Sequence, residues 1–363
     1  MAPGRPVDTK IMNFEELRTW VPRIERELLR QYAAERRRSP QFDPWTGTLE
    51  EFTLRGGKRF RALLVLGGYW IAAHRSPAPA LPAAAALEHF QSWMLIHDDI
   101  IDHAATRRGG PAVHQRLRAD HAAARWGGSS EEFGMGMGIT LGDLEEPYTV
   151  AALLESKGPA ARRLRAVAEY VRMTRDTAYG QLRDIQNGVL DPGAVREEDV
   201  LEVHRLKTSV YTVAAPLRIG AILGGGGPAL LADLESIGTD LGIAFQLRDD
   251  VLGAGFDPAA AEKSANDLAE GKRTLLVVRA WAAGGPEGRR ELEAVLGRPG
   301  AGPEALARAL ERIRATGSLA YSERRIEELT RRAYGRIGRS PRLRPTDRAL
   351  LREIGDRLVH RTA

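Results

Sequence analysis

Apolar residues in this chain recur at intervals of three and four and nowhere sustain the alternation of two that a strand needs. The pattern runs through Phe14–Glu35, Gly158–Asp184, Glu197–Gly224, Ala229–Val251 and Pro303–Tyr334. That spacing gathers the apolar side chains of each segment on one face of a helix. Ala, Leu, Arg and Glu are abundant, and all are good helix formers. Runs rich in glycine and proline separate the segments: SPAPALP at 76–82, RRGGP at 107–111, WGGSS at 126–130, DPG at 191–193, GGGGP at 224–228, GGPEG at 284–288 and GRPGAGP at 297–303. Such clusters punctuate a helix rather than continue it. The expectation is an all-α chain with no convincing strand, folded as a single-domain helical bundle around a central cavity. Residues 1–40, ending in ERRRSP, are expected as a charged helical extension on the periphery of the same domain, with 41–363 as its main body.

The totals narrow the partners. At 363 residues with 43% hydrophobic and 28% charged residues, the chain can bury a sizeable core. A net charge of +5 and a pI near 9.6 admit nucleic acid, a membrane surface or an anionic substrate. Carboxylates nearly match the basic residues, and aromatics are only 6% and do not interleave with the basic runs, which argues against nucleic acid. Cysteine is absent, which excludes disulfides and thiol chemistry. The N-terminal stretch has no apolar core of signal-peptide type. No stretch approaches the ~18 unbroken apolar residues of a membrane span. These features lead to the expectation of a cytoplasmic protein with no stable membrane insertion. GMGMG (134–138) and GGGG (224–227) lack dinucleotide-binding spacing and follow no strand; they read as a close-packed helix start and a helix-ending loop.

The chemistry concentrates in LIHDDIIDHAATRRGGPAVH, Leu95–His114, where Asp98, Asp99 and Asp102 sit inside an apolar run and two arginines follow. Charge in an apolar setting is costly unless neutralised. Asp98 and Asp102, at i and i+4, share one helix face and can bridge one ion. Oxygen donors without histidine or cysteine suit Mg²⁺, which keeps waters and binds through one or two carboxylates plus substrate phosphates. A lone motif of this kind also fits a solvated acidic turn. A second one, GIAFQLRDDVLGAGFD, places Asp249 and Asp250 at the end of another apolar helix, with Asp257 further on. Facing each other across a cavity, the two clusters could hold Mg²⁺ ions around one diphosphate. Cations for that diphosphate are present in RGGKRFR (Lys58, Arg61), TRRGG (Arg107, Arg108), RLKTS (Lys207, with Thr208) and EKSANDLAEGKRT (Lys263, Lys272).

In order along the chain, GGKRFR, DDIID followed by TRRGGPAVH, LGD at 141–143, GQLRD at 180–184, KTSVYT at 207–212, GIAFQLRDDVLG and NDLAEGKRT resemble the motifs of the trans-prenyl diphosphate synthases, the polyprenyl synthetase family. The resemblance runs from about Gly56 to Thr274 and makes 41–363 a catalytic domain of the type I isoprenoid synthase kind. It implies a Mg²⁺-dependent enzyme, with about three ions when substrate is bound, usually a homodimer. Such an enzyme condenses isopentenyl diphosphate with an allylic diphosphate (dimethylallyl, geranyl or farnesyl). Asp98, Asp102 and Asp249 are then the principal metal ligands, with Asp99 and Asp250 beside them. Arg107, Lys207 and Lys263 clamp the allylic diphosphate, and Lys272 closes over it. Lys58, Arg61, Arg108 and Gln91 form the isopentenyl diphosphate site, while Gln181, Thr208 and Gln246 steady the allylic cation or its leaving group.

The chain departs from the family pattern at Gly253, where a third aspartate is expected, with Asp257 as a possible substitute, and at Glu262, where glycine is common. Trp93 and Met94, one turn before Asp98, would wall off a growing chain and stop it at farnesyl or geranylgeranyl length, unless Trp93 packs into a helix interface instead. Three other readings remain. A class I terpene cyclase would need an NDxxSxxxE motif, but NDLAEGKRT has Glu270 at its serine position. A non-catalytic subunit of a heteromeric synthase would be expected to lose acidic ligands, and a nucleic-acid binder would show salt-dependent association.

Overall fold

The computed structural model describes residues 12–256, 266–298 and 300–360. They form two compact units: one takes the described residues up to Ala168 together with Pro216–Gly227, the other Glu169–Ala215 and Pro228 onward. Both are built of helices, as the three- and four-residue spacing predicts.

In the first unit α1 (Phe14–Arg18) and α2 (Val21–Arg38) replace the one helix expected over Phe14–Glu35. Pro22 belongs in a first turn, where no N–H is needed, so the helix restarts there. α2 is also less peripheral than its charge suggests. Arg37 and Arg38 face solvent, but Ile24, Leu28 and Tyr32 are fully buried, so the charge run occupies only one face. There follow α3 (Asp43–Leu54), α4 (Phe60–Ala73), α5 (Leu81–Ile101), α6 (Val113–Ala124) and α7 (Ser130–Glu155). α8 (Ala160–Val189) begins in this unit, and α10 (Ala215–Gly224) returns to it. Contrary to the expectation of no strand, β1 (Thr106–Arg107) pairs antiparallel with β2 (Gly110–Pro111). Between them Arg108 and Gly109 both have positive φ (53° and 77°), the two-residue turn that a tight hairpin requires. Two paired residues are too few to leave a periodic signal.

α4 and α10 meet backbone to backbone through glycines. A Cβ on Gly68 would come within 2.8 Å of the Leu217 carbonyl carbon, and one on Gly220 within 2.7 Å of the Tyr69 nitrogen. GMGMG lies in the first turns of α7, the close-packed helix start expected, with Gly134 and Gly138 packed on His114. A buried polar network ties α2, α3, α5 and α7. Tyr32 donates to Glu145 Oε1 (2.6 Å) and pairs with Thr53 Oγ1 (2.7 Å), which reaches Ser92 Oγ (2.7 Å). His89 Nδ1 lies 2.6 Å from Glu145 Oε2, and its Nε2 3.0 Å from Gln31 Oε1. Burial, and then the Glu145 charge, push the Tyr32 hydroxyl well above its ordinary pKa, so it stays a donor.

In the second unit the remainder of α8 leads to α9 (Glu197–Val203), a π-helical stretch His204–Ala214, α11 (Pro228–Gly253), α12 (Asn266–Ala269), α13 (Leu275–Ala283), α14 (Gly285–Glu293), α15 (Pro303–Ala315), α16 (Ser318–Arg339) and α17 (Pro345–Val359). Gly317, at φ 74°, divides the expected Pro303–Tyr334 helix into α15 and α16. α16 is fastened to α11 by Arg332 and Arg336, whose Nε atoms lie 2.9 and 3.0 Å from Asp240 Oδ2, and by a two-bond pair from Arg248 to Glu323 (2.8 and 2.7 Å).

Gly220→Ala is expected to lower unfolding stability by about 1–3 kcal/mol in a denaturant titration, because the α4 backbone must move aside. Tyr32→Phe should cost about 1–2 kcal/mol by the same measurement, since Glu145 and Thr53 then lose a buried partner.

Candidate active site

α5 carries its carboxylates to its C-terminal end. Asp102 caps the helix, its N–H donating to the Asp98 carbonyl at 2.8 Å. Asp98 is half-buried and Asp102 exposed, one turn apart, whereas Asp99 points inward and is fully buried. Asp99 Oδ1 accepts from Arg107 Nε at 2.7 Å and pairs with the same guanidinium through a second nitrogen. Burial pushes the Asp99 carboxyl up from its ordinary pKa, and Arg107 pulls against that shift. Burial likewise works against the charge on Arg107, yet Asp99, with Asp98 and Asp102 behind it, raises its pKa. The adjacent aspartates therefore differ in kind: Asp99 anchors Arg107, while Asp98 and Asp102 form the outward pair.

Two further arginines, unremarked in the sequence, build the cationic side. Arg59, at φ 51° and 2% exposed, folds back on the end of α3. It donates to the Thr53 and Leu54 carbonyls (2.7 and 3.2 Å) and to Glu88 Oε2 (3.1 Å). A cation at the carbonyl end of a helix satisfies groups the helix leaves unpaired, and this contact shapes the loop holding exposed Lys58. Arg55 donates to the Arg107 carbonyl (3.2 Å) and the Pro111 carbonyl (2.8 Å), bracing the β1–β2 hairpin. Burial lowers the pKa of Arg108, as do Arg59, Arg61 and Arg107, with Glu88 opposing. Gln91 is buried, and its Oε1 has no hydrogen-bond partner among the described residues.

In the second unit, Gly180 of α8 and Gly238 and Gly242 of α11 let both helices press on the π-helical stretch. Cβ atoms there would fall 2.7 Å from Lys207 Cα, 2.6 Å from Ala214 Cα and 2.5 Å from Ser209 Cα. π-Helical turns are uncommon and cluster at functional sites; this one presents Lys207 and Thr208. Thr208 donates to Gln246 Oε1 (2.8 Å), Gln246 Nε2 donates to Asp250 Oδ1 (2.8 Å), and His204 Nε2 lies 3.1 Å from Asp250 Oδ2. Asp250 is thus held inward, while Asp249 is half-buried. Lys207 Nζ meets Asp184 of GQLRD at 2.5 Å, and Gln181 is half-buried on the same helix. Lys272 Nζ lies 3.2 Å from Asp267 Oδ1 and 2.6 Å from Glu270 Oε2. Burial, with Asp250 nearby and Lys272 opposing, raises the Asp267 carboxyl to about 6. Lys263, Asp257 and Glu262 lie outside the described residues.

Both acidic ends suit Mg²⁺. Carboxylates at the C-terminus of a helix meet the negative end of its dipole, so a cation there relieves two repulsions at once. Asp99 Oδ2 is buried without a hydrogen-bond partner among the described residues, a sign of unmet demand for positive charge. No group of three or more His, Cys, Asp or Glu converges on a metal position among the described residues. Mg²⁺ takes few protein ligands and completes its shell with water and phosphate oxygens. Trp93 is half-buried on the same helix, edge-on to Phe90 (5.9 Å) and His97 (6.1 Å), with Met94 half-buried beside it.

Residues 44–313 match the family model for polyprenyl synthetase. The chain is 33% identical over 318 residues to a geranylfarnesyl diphosphate synthase of Aeropyrum pernix, covering 84% of this chain and 91% of that one. It is 33% identical over 311 residues to a short chain isoprenyl diphosphate synthase of Methanothermobacter thermautotrophicus, covering 82% and 86%. A crystal structure of geranylgeranyl pyrophosphate synthase from Corynebacterium glutamicum, complexed with isoprenyl diphosphate and magnesium, superposes with a TM-score of 0.87 at 34% identity, covering 97% of this chain and 100% of that chain. The model match and these identities, over most of each chain, establish that this chain belongs to the polyprenyl synthetase family.

Proposed function

We propose that the chain is a Mg²⁺-dependent short-chain prenyl diphosphate synthase, a prenyltransferase of isoprenoid biosynthesis. It condenses isopentenyl diphosphate with dimethylallyl, geranyl or farnesyl diphosphate. The observation that carries this reading is the end of α5, where Asp98 and Asp102 face outward one turn apart and Asp99 tethers Arg107 beside them.

Each set of residues then has a task. Asp98 and Asp102 on α5, and Asp249 on α11, hold Mg²⁺, about three ions with substrate bound. When bound, the ions supply positive charge to a leaving diphosphate. Arg107, aimed by Asp99, and Lys207, Lys263 and Lys272 bind the oxygens of the allylic diphosphate. Lys58, Arg61, Arg108 and the open acceptor of Gln91 bind isopentenyl diphosphate. Loss of the allylic diphosphate leaves a cation that the Gln181, Thr208 and Gln246 oxygens can face. The isopentenyl double bond attacks that cation, and the displaced diphosphate takes the proton. No protein nucleophile takes part.

Trp93 and Met94 limit the product to farnesyl or geranylgeranyl diphosphate by ending the space available to the tail. A cytoplasmic location belongs to the same reading; no described helix is long and apolar enough to cross a membrane. So does a homodimer. Val171, Tyr179, Leu182, Ile185 and Val189 of α8 are exposed, Val189 to 82%, and a second copy would cover this apolar face.

Purified protein with Mg²⁺, isopentenyl diphosphate and each allylic primer should yield elongated products, and Asp98→Ala should slow the reaction by about 10²-fold or more. Folded protein that elongates no primer would instead support a cyclase or a non-catalytic subunit. In the same assay Trp93→Ala should extend the longest product by at least one isoprene unit; an unchanged ladder would assign Trp93 to helix packing.

A further inference from the structure

Within the first unit, α2 passes into α3 through an exposed turn, RRRSPQFDPW, residues 36–45. A single 3-10 turn, Pro40–Phe42, joins the helices, and the Phe42 N–H donates to the Ser39 carbonyl at 3.0 Å. Arg36 braces the connection: its Nε lies 2.8 Å from Asp43 Oδ1 and its Nη1 3.1 Å from Glu50 Oε2. The Thr46 hydroxyl donates back to the Phe42 carbonyl at 3.3 Å. This braced turn nevertheless carries Phe42 and Trp45 outward, 46% and 40% exposed, with their rings stacked 5.5 Å apart at an interplanar angle of 21°. Large aromatic side chains ordinarily bury most of their surface, so a stacked pair shown to solvent is apolar area without a cover. Arg37 and Arg38 precede the pair and are both exposed, whereas Asp43, the one carboxylate of the turn, is taken by Arg36.

We propose that this turn is a peripheral docking point for an anionic lipid surface. Phe42 and Trp45 enter the headgroup region, and Arg37 and Arg38 pair with lipid phosphates. Two features favour a bilayer over a second protein. The charge is one-sided, with three arginines against one carboxylate in ten residues, which complements a surface of phosphates. The apolar part is two half-exposed rings, far below the about 800 Å² per partner that a stable protein interface buries. A bilayer asks less, because attraction of the cations brings the rings to an interface where flat aromatic side chains settle. The brace supplied by Arg36 keeps the rings in place before contact, so little order has to be gained on docking. The contact needs no substrate, so it holds or fails independently of the proposed reaction.

The test sediments the full chain with vesicles of phosphatidylcholine alone and of an equal mixture with phosphatidylglycerol, across a salt series. The parent should bind the mixed vesicles and release them as salt rises. Arg37→Ala/Arg38→Ala should weaken that binding about twentyfold, and Phe42→Ser/Trp45→Ser at least about tenfold, both at the parent's Tm. Arg331→Ala/Arg339→Ala, an equal charge change at exposed sites of α16, should bind like the parent. A parent that ignores both kinds of vesicle overturns the proposal, as does parent-like binding in Phe42→Ser/Trp45→Ser. An equal loss in the α16 variant also overturns it, because binding would then follow net charge alone. A fall from dimer to monomer in Phe42→Ser/Trp45→Ser, read by light scattering, would give the patch to a second copy and overturn it too.

Discussion

The arrangement depends on carboxylates placed where a helix least tolerates them. α5 and α11 are apolar helices that both end in paired aspartates, at the negative pole of the helix dipole. A divalent cation bound at each helix end would relieve that repulsion by supplying the missing charge. Much of the surrounding structure follows from this one electrostatic demand. The inward aspartate of each pair is tied down, Asp99 by Arg107 and Asp250 by Gln246 and His204. The outward ones, Asp98 and Asp249, remain at the half-buried edge.

The scaffold beneath each end is built for close approach. In the first unit the glycines of α4 and α10 allow backbone contact, and the Tyr32–Glu145–His89 network ties α5 to α2 and α7. A buried, fully bonded polar network resists sliding more than an apolar seam does, because each displaced group would lose its partner. In the second unit three glycines admit the π-helical stretch, which sets Lys207 against Asp184 and Thr208 against Gln246. Neither unit needs a strand beyond the two-residue hairpin that turns Arg107 back toward Asp99.

Much of this was legible in the sequence. The helices follow from apolar spacing, and the two acidic motifs stand at the C-terminal ends of α5 and α11. What stayed hidden depends on three-dimensional neighbours. Asp98 and Asp99 are adjacent and chemically identical in a string of letters, and only the burial of one helix face separates the residue that anchors Arg107 from its outward neighbour. Arg59 reads as one more surface cation until its left-handed backbone turns it under α3. The π winding leaves no periodic mark that a helix would not also leave. The charged N-terminal run misled for the converse reason: its buried face is narrow, and arginines dominate the composition around it.

The most direct test is a crystal structure of the full chain with a non-hydrolysable allylic diphosphate analogue and Mn²⁺, whose anomalous scattering locates the ions. The account predicts peaks within coordination distance of Asp98 and Asp102 and of Asp249, bridged to diphosphate oxygens, with Asp99 still paired to Arg107. Ions bound without diphosphate, or diphosphate held by arginine and lysine with no ion at either acidic end, would contradict it.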